Sequence, residues 1–182
     1  MKTLLIIDIQ NDYFPGGAYP LVEPDAAARQ ASRLLGRFRE VSEPVIHMQH
    51  VWDAPEAEFM RPDTDGVEIH DSVQPLADET VLTKAMPNSF LGTDLEAELR
   101  GQGTEGLVVA GMMTSMCVDA TVRAAVDLGL EVTVAHDACA APDLEHDGVL
   151  VPGALVHAAF IAALADGYAT VTSVNDLVEP SS

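Results

Sequence analysis

The chain has 182 residues, 48% of them hydrophobic, with 29 acidic against 9 basic side chains and a formal net charge of −20. That apolar content supports one folded domain over residues 1–182 and excludes an intrinsically disordered chain. The negative field excludes nucleic acid and anionic membrane as partners and reads as a solvated acidic surface.

Met1-Lys2-Thr3 runs straight into an apolar strand-like segment. No long apolar leader region follows, and no apolar run approaches the roughly 20 residues that span a bilayer. A cytoplasmic protein is the expectation. Two cysteines, Cys117 and Cys139, do not make a disulfide framework in a domain of this size.

Leu4-Leu5-Ile6-Ile7 is continuously apolar, as in a strand covered on both faces, and it ends at Asp8-Ile9-Gln10-Asn11-Asp12. Tyr13 to Gly17 breaks regular structure. The pattern predicts a helix from about Asp25 to Val41, a turn at Glu43-Pro44 and a second strand over Val45–Val51. Residues 52–78 have no period and are punctuated by prolines, and a loop of that length is functional or mobile. Trp52, Phe59 and Met60 within it either line a pocket or anchor the loop.

Thr80–Thr83 reads as a third strand ending at Lys84. Thr93 and Glu96 form a capping box that predicts a helix from Asp94 to about Arg100. Leu107-Val108-Val109-Ala110 is a buried fourth strand, followed by a helix over Val118–Leu128 closed by Gly129. Glu131–Ala135 is the fifth strand, and Asp137–Gly148 reads as a polar loop. Pro152 opens a helix through about Ala165 that Gly167 closes. Ala169–Thr172 is a short sixth strand, and the tail from Glu179 to Ser182 is expected to fray.

Strands alternating with helices predict a parallel sheet covered by helices on both faces. Ligands in such sheets bind beyond the carboxyl ends of the strands. Asp8 ends strand one, Lys84 ends strand three and Cys117 follows strand four, so all three are placed on one edge. A carboxylate, an ammonium and a thiol together make a nucleophilic site. The lysine and the helix start are expected to lower the thiol pKa. Backbone N–H groups of the turn before the cysteine are candidates for an oxyanion hole. This suits acyl transfer from an amide-type carbon through a thioester.

With those motifs assembled, the chain resembles the isochorismatase-like cysteine hydrolase superfamily from Leu4 to about Leu177. The motifs that carry the likeness are Leu5 to Asp12, Lys84 with Asn88 to Thr93, and Gly111 to Val118. The resemblance implies a three-layer α/β/α sandwich around a six-stranded, mainly parallel sheet, and a homo-oligomer (dimer or tetramer). It implies Asp8 as general base, Lys84 as charge stabiliser and Cys117 as nucleophile. It also implies a cis peptide between Met112 and Met113, aiming the N–H groups of Met113 and Cys117 at an oxyanion.

Nicotinamidases of the superfamily bind a divalent metal through an Asp-x-His arrangement after strand two, and this chain has His50 and Trp52 at those places. His47 and His50 are three apart on a strand and point to opposite faces, so they do not share an ion. No metal and no cofactor are therefore expected. His47 reads as a packed histidine and His50 as a pocket residue. Phe14, His50, Trp52, Phe90 and Met116 are the candidate substrate contacts, with Met112 as core filling. Cys139 reads as structural, His157 as packed or interfacial, and His136 and His146 carry no assigned role. The expected activity is a metal-independent hydrolysis of a small amide, lactam or ureido compound. The alternatives are an isochorismatase-type vinyl-ether hydrolase and a non-catalytic reactive-thiol sensor.

Overall fold

The computed structural model describes residues 1–179. The expectation for the tail falls largely on Pro180 to Ser182, which lie outside the described residues. Six parallel strands form the central sheet: β1 (Lys2–Ile7), β2 (Val45–His50), β3 (Thr80–Lys84), β4 (Gly106–Met112), β5 (Glu131–Ala140) and β8 (Thr170–Thr172). A separate hairpin joins β6 (Leu144–His146) to β7 (Val149–Val151). The helices are α1 (Pro24–Glu40), α2 (Leu95–Gly101), α3 (Asp119–Asp127), α4 (Gly153–Gly167) and α5 (Val174–Val178). None of the described helices is long and apolar enough to cross a membrane.

The sheet order is β3-β2-β1-β4-β5-β8. The chain winds outward from β1 through β2 to β3, then starts again beside β1 with β4 and winds the other way. The switch in strand order therefore lies between β1 and β4, where Asp8 and the Cys117 turn leave the sheet.

The continuous apolar runs are explained by two-sided burial. On β1, Leu4 and Ile6 pack into a layer with α1 and Val174 of α5, while Leu5 and Ile7 pack into the opposite layer with α2, α3 and Leu164 of α4. Val108 and Ala110 of β4 likewise face the first layer, and Leu107 and Val109 the second. Burying such a side chain on either face is worth about 1.5–3 kcal/mol, which is why these strands carry no polar stripe.

Several boundaries differ from expectation. Strand β5 does not stop at Ala135. A bulge interrupts its pairing with β4 between Val109 and Gly111, after which Cys139 pairs with Gly111 and Ala140 with Met112. The polar residues His136 and Asp137 in the bulge hide this continuation from the pattern. The second half of the expected Asp137–Gly148 loop, with residues 149–151 after it, forms the β6–β7 hairpin. Its turn is Asp147-Gly148, with φ of +51° and +75°, the two left-handed residues of a type I′ turn. That dipeptide between short apolar runs was the available signal.

Thr93 caps only in part. Its Oγ1 accepts the Leu95 N–H at 3.3 Å, while Glu96 pairs with Arg100 at 2.5 Å instead of reaching back. Gly129 closes α3 as expected, with Leu130 N–H on Ala125 O at 3.0 Å and Gly129 N–H on Val126 O at 2.9 Å. Gly167 belongs to α4, and Tyr168 is the residue that ends that helix.

Residues 52–78 form a packed strap. Met60, Val67 and Val73 are buried, and Gln10 bridges to Ile69. Met60 anchors the strap by its backbone as well, donating its N–H to Asp12 Oδ2 at 2.6 Å. Phe59 packs between Tyr19, at 4.8 Å between ring centroids, and Trp52, at 5.5 Å.

Candidate active site

Asp8 is the first residue beyond β1 and takes a left-handed conformation, φ +50°. A non-glycine residue there is held by its surroundings. The Asp8 N–H reaches Met48 O at 3.2 Å, so the neighbouring strand fixes the turn. Its side chain is wholly buried.

Lys84 ends β3 and is one of the chain's two lysines. Its side chain is 0% exposed, and its ammonium donates to two acceptors and forms an ion pair with a third group. Asp8 Oδ2 lies 2.7 Å away, His50 Nδ1 2.9 Å and Met86 O 3.0 Å. A buried lysine without such partners would be costly. Because Lys84 donates to His50 Nδ1, that nitrogen is an acceptor and the ring proton sits on Nε2.

The turn that carries Cys117 is built by Gly111. Its φ is +148°, and a Cβ there would run into the Ile7 carbonyl oxygen and backbone nitrogen. Only glycine lets β4 pass this close to β1. The Met112–Met113 peptide that follows is cis. Thr114–Val118 is a π-helical turn, so Cys117 lies in this wider turn and α3 begins two residues later. Such turns recur at functional sites because they re-aim side chains. Met113 O accepts the N–H groups of Met116 at 3.1 Å and Val118 at 3.2 Å, bonds that pass over the Cys117 N–H. Thr114 Oγ1 donates to Ala140 O at 3.0 Å and accepts from His157 Nδ1 at 2.9 Å, tying the turn to β5 and α4.

Cys117 Sγ is 4.0 Å from His50 Nδ1, and His50 Nδ1 is 3.9 Å from Asp8 Oδ2. Asp8, Lys84, Cys117 and His50 thus form one cluster, drawn from four elements on the carboxyl edge of the sheet.

The same motifs identify the family. The isochorismatase domain profile matches residues 2–176. The chain is 52% identical over 169 residues to the uncharacterized isochorismatase family protein YddQ of Bacillus subtilis (strain 168), covering 93% of this chain and 94% of that one. An isochorismatase-family crystal structure from Oleispira antarctica superposes with a TM-score of 0.93 at 48% identity, covering 97% of this chain and 95% of that one. The streptothricin hydrolase of Streptomyces noursei is 35% identical over 144 residues, which is 79% of this chain and 51% of that protein. The chain belongs to the isochorismatase family.

The electrostatics of this isochorismatase-family site correct one expectation. Burial, and then the Asp8 charge, push the Cys117 thiol well above its ordinary range, and the opposing pull of Lys84 does not overcome them. The resting sulfur is a thiol, not the thiolate expected from a helix start. The physical reason is that almost no water reaches Sγ, and the turn that holds it is not the first turn of α3. Burial also raises Asp8, against the charge of Lys84 beside it. Neither Asp8 oxygen has a well-aligned hydrogen-bond donor among the described residues, although Lys84 lies close to one of them. Burial, assisted by the Lys84 charge, lowers His50 to about 4, so it is neutral at pH 7.

The remaining expected contacts lie outside the cluster. Phe14 is buried and stacks on His70 at 3.7 Å with planes 10° apart. Trp52 packs edge-on to Phe59. Phe90 is partly buried against the α2–α3 layer. Met116, next to Cys117, is 45% exposed. His47 is buried and pairs with Glu79 across the sheet from His50, and Cys139 is buried on β5. His146 is exposed on the hairpin, 3.5 Å from Asp147.

Gln10 escaped sequence reading. Its Oε1 accepts the His50 N–H at 2.9 Å, and its Nε2 donates to His50 O at 2.9 Å and Val67 O at 2.6 Å. It clasps the end of β2 and pins the strap to it. A glutamine two residues after Asp8, inside the Leu5–Asp12 motif, was the only signal. Asp12 was also missed, and its carboxylate gathers the Ala18 and Met60 N–H groups.

Proposed function

We propose that the protein is a cysteine hydrolase that cleaves a C–N bond of a small amide, lactam or ureido compound through a Cys117 thioester. The convergence of buried Asp8, Lys84 and Cys117 at the switch in strand order carries this reading. As the sulfur attacks the carbonyl carbon, Asp8 takes the thiol proton. A buried carboxyl group with raised proton affinity and no aligned donor suits that step. The Met113 and Cys117 N–H groups receive the developing oxyanion. Lys84 holds positive charge beside Asp8 throughout. Asp8 then delivers the proton to the leaving nitrogen, and water, with Asp8 again as base, releases the acid and restores the thiol.

The relatives' names support the substrate class. Besides the streptothricin hydrolase, a maleamate amidohydrolase of Pseudomonas putida is 31% identical over 150 residues. The N-carbamoylsarcosine amidase of Thermoplasma acidophilum superposes with a TM-score of 0.79 at 25% identity. Phe14, His50, Trp52, Phe90 and Met116 are the side chains proposed to shape the pocket, around an uncharged His50. A sensor thiol is disfavoured, because such thiols are exposed and held as thiolates. We further infer a cytoplasmic homo-oligomer. Val149, Leu150 and Leu155 on β7 and α4 are exposed apolar side chains that such an interface would cover.

The test is product release from a panel of small amides, lactams, ureido acids and isochorismate, with wild type and Cys117→Ala. Turnover of a C–N substrate by wild type alone supports the proposal. Equal turnover by Cys117→Ala, or turnover of isochorismate alone, overturns it.

A further inference from the structure

The four-residue cluster also has the geometry of a metal centre. A carboxylate oxygen of Asp8, a ring nitrogen of His50 and Cys117 Sγ each offer one ligand atom, all within 4.8 Å of one another. The separations from His50 Nδ1 are 3.9 Å to Asp8 and 4.0 Å to Cys117. A tetrahedral zinc ion, with bonds of about 2.0–2.3 Å, holds its ligand atoms roughly 3.3–3.6 Å apart. The two separations from His50 would have to close by roughly half an ångström, and the Asp8–Cys117 separation, at most 4.8 Å, by up to roughly an ångström. One carboxylate oxygen, one imidazole nitrogen and one thiolate, with a fourth position open, is a donor set that zinc accepts. The support is rigid as well: Gln10 clasps the His50 backbone on both sides.

The centre of that set is not free. Lys84 Nζ stands 2.7 Å from Asp8 Oδ2 and 2.9 Å from His50 Nδ1, between two of the three donors. Its second acceptor, Met86 O, anchors it at 3.0 Å. An ion bonded to those two donors at about 2.0 Å would overlap the ammonium. A divalent ion and the ammonium cannot share the space, and their charges repel across so short a distance.

We propose that Asp8, His50 and Cys117 form a latent site for a zinc-class divalent ion, and that Lys84 fills the metal position and so keeps the nucleophile free of metal. Lys84 then has two roles, one in charge stabilisation and one in exclusion. Loading the site without the ammonium is a simple exchange. The ion binds the carboxylate, the neutral imidazole and the sulfur, and the thiol proton leaves to solvent. No oxidant or reductant is involved. This inference rests on the geometry of the cluster and goes beyond the hydrolase reading.

The experiment titrates wild type and Lys84→Met with Co2+, a spectroscopic stand-in for zinc. It then follows alkylation of Cys117 by mass spectrometry with and without stoichiometric Zn2+. Circular dichroism confirms folding, and Lys84→Gln replaces Lys84→Met if the latter does not fold. The expected result is a thiolate-to-cobalt charge-transfer band in the lysine variant only. Zinc should slow alkylation at least about tenfold in that variant and leave wild type unchanged. Lys84→Met/Cys117→Ser should lose the band. A band that survives in the double variant, or a lysine variant that takes up no cobalt, overturns the site. Zinc protection of Cys117 in wild type overturns the exclusion by Lys84, and that arm needs no variant. These readouts do not use turnover, so a failed substrate panel and a failed metal site are told apart.

Discussion

Strand β2 carries two histidines on opposite faces, and each meets a carboxylate and a cation. On one face His47 Nε2 lies 3.0 Å from Glu79, and Arg39 grips the same carboxylate through two bonds of 2.7 and 2.8 Å. The Leu76 N–H adds a further bond at 2.9 Å. On the other face His50 meets Lys84 and Asp8, with Cys117 beside them. The residue classes match, but the physics does not. Burial pushes the Glu79 carboxyl up, yet the hydrogen bonds from Arg39, Leu76 and His47 outweigh it and hold the group at about 2. Asp8 lacks aligned donors and is fully buried, so its proton affinity rises. A carboxylate surrounded by aligned donors is a structural clasp, whereas one left short of donors can accept a proton.

The largest effect expected from breaking this contrast is on the reactive face. Cys117→Ala should lower kcat/KM by at least about 10^4-fold while the protein still folds. Asp8→Asn keeps the shape and removes the proposed base, so the acylation rate should fall about 10^2–10^4-fold in single-turnover kinetics. Substitution on the clasp face should do the opposite. Glu79→Gln should cost about 1–3 kcal/mol in denaturant unfolding and leave kcat unchanged, because Arg39 and His47 lose their shared acceptor far from the thiol. A fall in kcat there would erase the distinction.

Acid sharpens the comparison from both sides. Burial lowers His47 and His50 below the ordinary value of 6.5, His50 to about 4. The unfolded chain therefore binds more protons as pH falls, and stability is lost from about pH 6.5 downward through the folded values. Glu79 adds to this, its contribution being lost as pH falls from about 4.5 to about 2. Asp8 opposes the trend, since its raised value favours the folded state once it is protonated. The wild-type Tm should fall by a few degrees between about pH 7 and pH 4.5, at about 2–4 °C per kcal/mol. His50→Asn should lose part of that fall. The smallest effect is expected at the support of the nucleophile turn. Thr114→Val removes the bonds to Ala140 and His157 and should cost about 1–2 kcal/mol in thermal unfolding.

The sequence by itself determined the fold class, the order of the sheet-forming runs and the edge on which Asp8, Lys84 and Cys117 meet. Two-sided burial demands unbroken apolar strands, and parallel strands place their carboxyl ends together. Helix termini marked by backbone chemistry were equally legible at Gly129. What only the tertiary structure decided was longer in range. Gln10 and His50 are 40 residues apart, and no local pattern pairs them. The continuation of β5 past its bulge depends on Gly111 across the ladder. The protonation of Cys117 turned on how much water the packed cluster admits, and burial outweighed the helix-start argument that the sequence suggested. Desolvation is a property of everything that surrounds a group, so it does not appear until the chain has closed around it.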